Sequence, residues 1–307
     1  MAKQHLHLDS DNTILYADLS QRLKNKLHTL PDKPEETAEN TLAALWHYAN
    51  NTHLSVHAAS HTPLVSLDKN KHSLLISLVE TRIKGTPLAY ITGRQNFMGL
   101  ELLCNEAALI PRKETELLAE ACLQHLLAAT ESSGSANVLD LFTGSGNLPL
   151  CFKKRVSQAQ VFGADLSEKA ITLAQKNAEF LGLQVQFLVS DMFSAFTDAK
   201  FTSYFDLISG APPYISSANV DKMADEISGH EPSMAFEAGP FGIKFFTQMI
   251  KESPRLLKPR GKLLFEVGLG QGEGIAKRLK KNKSYENIRR IRDENGNVRV
   301  LEARLAG

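Results

Sequence analysis

From residue 112 onwards short apolar runs alternate with helical segments, and this alternation constrains the chain more than any other feature. NVLDLF, AQVFGADL, VQFLVSD, FDLISG and GKLLFEV each have the length of a strand. Helical stretches separate them, beginning with EKAITLAQKNAEFLG. Strands that are apolar on both faces must be covered on both, and helical crossovers between parallel strands do that. The pattern predicts an α/β fold with a doubly wound, largely parallel sheet over 112–307.

The texture upstream is different. Leu42, Leu45 and Trp46 fall at i, i+3 and i+4, and HSLLISLVETRIKG reads as a helix stopping at Gly85. Residues 1–84 are therefore expected to be a smaller, all-helical N-terminal domain. Within it 1–34 is polar and punctuated by proline, with one amphipathic piece, LSQRLKNKL; an arm for specificity, a dimer contact and a disordered tail all suit it. Residues 85–111 carry aromatic and β-branched residues broken by Gly93 and Gly99, the signature of a β-hairpin connector.

Composition bounds the rest. A chain of 307 residues, 43% hydrophobic and 22% charged, suits a soluble protein of two domains. No segment reads as a signal peptide or a membrane span. Cys104, Cys122 and Cys151 lie apart, with no paired spacing for a metal or a disulfide, which suits reduced thiols and a cytoplasmic location. The net charge of +1 hides a basic block: 251–300 holds fourteen Lys and Arg against six acids. That block includes KRLKKNKSYENIRRIR, read as a solvated helix face followed by an edge strand.

Val138 to Asn147 is a strand running into a turn with Gly144 and Gly146, where a backbone can approach a ligand closely. Pro149 falls in the first turn of the next helix, where proline is tolerated. Asp165 ends the second strand, placed to accept hydrogen bonds from ribose hydroxyls. Asp191 ends the third, placed to accept from an adenine amino group. Either acid alone is as good a helix cap; three consecutive strand ends together point to one adenosine-containing ligand.

The fourth strand ends in ISGAPPYI, residues 208–215. Here the chain resembles the HemK/PrmC family, class I methyltransferases that modify the glutamine side-chain amide of peptide-chain release factors with S-adenosylmethionine. Similar motifs are PLAYITGRQNF, LIPRKETELL, DLFTGSG, SDMFSAF, EPSMAFEAGPFG, GKLLFEVGLGQGE and DENGNVRVLEARL, so the resemblance spans about residues 35–307. It displaces a dinucleotide oxidoreductase reading of the glycine turn.

The resemblance implies a helical domain that helps recognise the substrate protein, a hairpin connector, and a Rossmann-like methyltransferase domain. It implies that Asp140, Phe142, Thr143, Gly144, Ser145, Gly146, Asp165, Asp191, Met192 and Ala211 bind S-adenosylmethionine, with S-adenosylhomocysteine as product. Ala211, Pro212, Pro213 and Tyr214 would form the acceptor subsite, with Ala211, Pro212 and Tyr214 in the catalytic positions. In the family's Asn-Pro-Pro-Tyr loop the asparagine oxygen and the first proline's carbonyl accept the two amide N–H bonds, and the tyrosine ring covers the planar acceptor. The methyl transfer would be direct, with no metal and no covalent enzyme intermediate.

Three departures from the family pattern stand out. Ala211 removes one acceptor, which suits an engineered trap, a paralogue with another acceptor, or a protein that binds cofactor without turnover. Phe142 replaces a frequent glycine; its ring either narrows the methionine end of the pocket or points into the core, the reading favoured for a lone phenylalanine. Residues 1–34 precede the family-like region. The rivals to a release-factor enzyme are methylation of a small-molecule amine, amide or carboxylate, and non-catalytic binding of S-adenosylmethionine. A peptide-chain release factor or a small acceptor is thus the expected partner, without membrane, and nucleic acid is disfavoured by the near-neutral charge. His53, His57 and His61 recur every four residues but lack a completing cysteine or acid pair, so no metal is expected. Glu114, Glu116 and Glu266 are placed near the cleft, the first two equally well explained by a helix dipole.

Overall fold

Asp9, Thr37, Ser55 and Asp68 each accept a hydrogen bond from the backbone N–H three residues on, at Asn12, Asn40, Ala58 and Lys71. Caps of this kind contribute about 1 kcal/mol each. They start α1 (Ser10–Lys26), α2 (Ala38–Ala49), α3 (Val56–Ser60) and α4 (Lys69–Ile83). A computed structural model describes residues 8–216, 224–236, 238–239 and 242–307. The chain forms two units, one of residues 1–106, 110–112 and 224–231, the other of 107–109, 113–223 and 232–307.

In the first unit Leu19 and Leu23 of α1 are fully buried with Leu42, Leu45 and Trp46 of α2 and with Leu75 and Val79 of α4. The stretch ahead of residue 35 is therefore core for its described part, because Leu19 and Leu23 keep the four-residue spacing of one helix face. After α5 (Leu88–Thr92) come β1 (Arg94–Phe97) and β2 (Leu100–Leu103), the expected antiparallel hairpin. It packs into this unit rather than standing as a separate connector.

A buried ionic cluster completes the unit. Arg82 is bonded to Glu36 and to Glu226 at 2.8 Å each, and Lys33 reaches the other oxygen of Glu226 at 2.8 Å. Glu226 lies on the one-turn α9 (Asp225–Ser228), so residues far apart in sequence share one set of charges. Burial alone would raise both carboxyls, and in Glu36 it prevails. In Glu226 the two cations outweigh it and hold the carboxyl below its ordinary value. Nearby, Glu231 accepts from Arg112 at 2.5 Å and from the Ile110 backbone N–H at 3.0 Å.

The second unit carries β3 (Asn137–Leu141), β4 (Gln160–Asp165), β5 (Gln186–Val189), β6 (Phe205–Gly210), β7 (Leu257–Glu266), β8 (Tyr285–Arg292) and β9 (Val298–Leu305). They form one sheet in the order β5-β4-β3-β6-β7-β9-β8. The first five are parallel, β9 runs antiparallel to β7, and β8 lies antiparallel at the edge. α6 (Thr115–Ser133) precedes β3, and between the strands run α7 (Asn147–Arg155), α8 (Glu168–Leu181), α10 (Lys244–Leu256) and α11 (Gly272–Lys281). α6, α7 and α8 pack side by side, as do α10 and α11. Strand order reverses at β3: the chain moves outward to β4 and β5, then returns to place β6 on β3's other side. That reversal opens a crevice at the strands' C-terminal ends, where ligands of such sheets bind.

Candidate active site

The turn leaving β3 is left-handed at three points, Phe142 (φ 61°), Gly144 (φ 53°) and Gly146 (φ 85°). Gly146 precedes α7, and a Cβ there would lie 3.1 Å from the Ala174 Cβ and from the Phe187 ring, so only glycine lets α8 and β5 approach. Two bonds join this turn to the end of β4. The Thr143 N–H donates to the Ala164 carbonyl at 3.0 Å, and the Gly144 N–H to Asp165 Oδ2 at 2.9 Å.

Asp165 lines the cavity and also binds the backbone around it. Its Oδ1 accepts from the Ser167 N–H at 2.9 Å, while Ser167 caps α8. Burial raises the Asp165 carboxyl, against the opposing pull of these backbone donors. At the end of β5, Ser190 Oγ donates to the Met192 carbonyl at 2.8 Å and accepts from the Ala195 N–H at 3.0 Å. This fixes the bend that leaves Asp191 exposed and Met192, at φ 49°, buried.

β6 ends at Gly210, where a Cβ would stand 3.0 Å from the Leu141 carbonyl. The chain then runs through Ala211, Pro212, Pro213 and Tyr214. Tyr214 lies near the end of β7, close enough to the buried Glu266 to feel its charge. Glu266 also accepts from Thr115 Oγ1 at 2.7 Å and lies 3.5 Å from Arg299. Burial pushes the Glu266 carboxyl up, opposed by Thr115 and Arg299; the same burial, with the negative field of Glu266, pushes the Tyr214 phenol up.

These ends surround a cavity of about 320 Å³, at the lower end of what one drug-sized ligand fills. Of the residues expected at the site, Phe142, Gly144, Asp165, Asp191, Met192, Ala211 and Pro213 line it. Asp140, Thr143, Ser145, Gly146, Pro212 and Tyr214 are not in its wall. Asp140 lies buried on β3, where Ser209 Oγ donates to its Oδ1 at 2.7 Å and burial pushes the carboxyl up to about 7. Phe142 packs against the core and faces the cavity as well. It is half-buried, lines the cavity, and meets Phe245 edge-on at 5.1 Å.

Other wall residues were not singled out as site residues from the sequence: 107–109, Ser190, Phe245 and Pro232 to Ala235. The last group lies inside the family-like EPSMAFEAGPFG, and its signal is a large apolar side chain, Met234, left 52% exposed. Leu166, 57% exposed, also borders the cavity. Exposed apolar side chains beside two carboxylates suit a flat base carrying a ribose, and these residues fit S-adenosylmethionine. Among the described residues no cluster of three or more His, Cys, Asp and Glu is placed to hold a metal. His53 precedes the short α3, so the three histidines do not share a helix face; His61 Nδ1 is bonded to the His57 carbonyl at 2.8 Å. Glu114 precedes α6 and Glu116 lies in its first turn.

Residues 132–304 match a family model described as a methyltransferase domain. The release factor glutamine methyltransferase of Geobacter sulfurreducens is 34% identical over 228 residues, covering 74% of this chain and 76% of that protein. The enzyme of the same name from Agrobacterium fabrum is 31% identical over 238 residues, 77% of this chain and 80% of that one. Among solved structures, a methyltransferase from Pyrococcus furiosus aligns with a TM-score of 0.48 at 17% identity, over 69% of this chain and 91% of that chain. A glycine turn joined to Asp165, Asp191 on the next strand end and a Pro-Pro-Tyr loop on the fourth thus sit in a chain that belongs to the release factor glutamine methyltransferase family of S-adenosylmethionine-dependent methyltransferases.

Proposed function

We propose that the chain methylates the side-chain amide nitrogen of a glutamine in a peptide-chain release factor. The observation that carries this reading is that Ala211 and Pro213 line the same cavity as Gly144, Asp165 and Asp191. Acceptor loop and cofactor wall therefore border one space. Bound there, S-adenosylmethionine supplies an electrophilic sulfonium methyl. Asp165 holds its ribose, Asp191 its adenine, and Leu166 and Met234 flank the base.

A carboxamide nitrogen is a poor nucleophile because its lone pair is delocalised. The chain's task is to aim it and to stabilise the positive charge that grows on its N–H groups. By the resemblance, the Pro212 carbonyl would accept one N–H and the Tyr214 ring would support the amide plane, both from just outside the cavity wall. Pro212 and Pro213 stiffen the loop, so little has to be organised during reaction. Position 211 would supply the second acceptor, and an alanine methyl cannot. Losing one such contact lowers turnover by about 10² to 10³.

The test is transfer of labelled methyl to a release factor by this chain and by Ala211→Asn. A strong gain in the asparagine form, with cofactor affinity unchanged, supports the reading. Transfer by the alanine form to a small metabolite, weakened by asparagine, would overturn it.

A further inference from the structure

Gln271 occupies the N-cap position of α11, where Ser, Thr, Asp or Asn would bond the first turn, yet its side chain makes no capping bond. It reaches back to the acceptor loop. Nε2 donates to the Tyr214 main-chain carbonyl at 2.9 Å and stands 3.5 Å from the Gly242 carbonyl. Oε1 accepts from the Gly268 N–H at 3.1 Å. One planar amide thus joins the acceptor loop, the stretch entering α10 and the turn leaving β7.

Two glycines make the seat. A Cβ at Gly242 would lie 2.5 Å from the Tyr214 carbonyl oxygen and 3.0 Å from Gln271 Nε2. A Cβ at Gly268 would lie 2.8 Å from both the Tyr214 ring and Gln271 Oε1. Those distances exclude any other residue without movement of Tyr214 or Gln271. Tyr214 is therefore held at its carbonyl by Gln271 and at its ring by the Gly268 backbone.

The geometry points to Gln271 as a positioning residue for methyl transfer, which acts by fixing the carbonyl end and ring of Tyr214. This rests on the acceptor-loop reading above. With no polar group at 211, the orientation of the Pro-Pro-Tyr segment is the loop's remaining control over the acceptor. A carboxamide offers a donor to the Tyr214 carbonyl and an acceptor to Gly268 in one plane at every working pH, which a carboxyl does only when protonated.

Gln271→Ala and Gln271→Glu test it, assayed with release factor in whichever of the Ala211 and Ala211→Asn backgrounds turns over. A displacement of the order of 1 Å costs about 10² in rate, so kcat should fall 30- to 100-fold in Gln271→Ala, with S-adenosylmethionine affinity within threefold. In Gln271→Glu the ionised carboxylate has no donor for Tyr214, while its protonated form regains one. Its activity relative to the parent should rise as pH falls from about 8 to about 6; a mere space-filling role predicts a constant ratio. Amide exchange reads the clamp without any acceptor: protection at Gly268 should fall at least tenfold in Gln271→Ala. A kcat within twofold of the parent, or unchanged exchange at Gly268, overturns the assignment. If neither background methylates a release factor, the proposed function falls, and exchange at Gly268 still decides the clamp.

Discussion

The Gly144 N–H donates to Asp165 Oδ2 at 2.9 Å, so the cofactor turn and the acid of the neighbouring strand are one unit. Asp165→Ala removes the proposed ribose contact and also leaves the Gly144 and Ser167 N–H groups without their acceptor. A hydrogen bond to a charged group contributes about 1.5 to 3 kcal/mol. S-adenosylmethionine affinity, measured by calorimetry, should fall roughly 10- to 150-fold by the same scale, and the apo protein should melt earlier. A loss of affinity with no change in melting would separate the two roles that the geometry joins.

Phe142 holds a large ring on a left-handed backbone, at φ 61°. That conformation costs roughly 1–2 kcal/mol in a residue with a Cβ. Burial of part of the ring recovers a similar amount, about 1.5 kcal/mol. Phe142→Gly should therefore change unfolding stability little while enlarging the cavity. Its distinguishing readout is acceptance of cofactor analogues carrying a larger group on sulfur, which the parent should reject.

Asp140 makes stability depend on pH in a definite direction. Its folded carboxyl sits at about 7 against an ordinary 3.8. Between those values the native state holds a proton that the unfolded state has released, so stability falls as pH rises through the window and levels off above it. The shift corresponds to on the order of 4 kcal/mol. Asp140→Asn keeps an acceptor for Ser209 and removes the charge. Denaturant midpoints of the two proteins should converge near pH 4, with the asparagine form ahead above about pH 7.

Arg82 is the shared partner of Glu36 and Glu226 in the helical unit, and all three are at least nine-tenths buried. Arg82→Met leaves two buried carboxylates facing Lys33 alone, and breaking such a pair costs about 3–5 kcal/mol. Arg82→Met with Glu36→Gln and Glu226→Gln should recover much of the loss. Chemical unfolding of the single and triple variants measures both.

Strand ends and the glycine turn were legible because they are local: apolar runs, an acid at each end, glycines where the backbone turns. The hairpin was legible from Gly93 and Gly99. What escaped was whatever depends on chain return. Nothing near Pro232 or Ala107 indicates that the chain revisits the cavity there, because those contacts are set by tertiary packing and not by periodicity. Phe142 carries both of its sequence readings at once, because its ring packs against the core and also lines the cavity. Asp140 has the right type and strand for a ligand contact, yet it is buried on β3 and is not in the cavity wall. Polar composition suggested that residues 1–34 stand apart, whereas Leu19 and Leu23 supply core from within that stretch.

Residues 224–231 belong to the helical unit although the chain on either side of them belongs to the methyltransferase unit. The catalytic half is consequently not a portable cassette. A gene fragment starting at residue 113 would carry Glu226 and Glu231 away from Lys33, Arg82 and Arg112. Swapping the helical half between relatives to retarget an enzyme would require exchanging that eight-residue insert together with it.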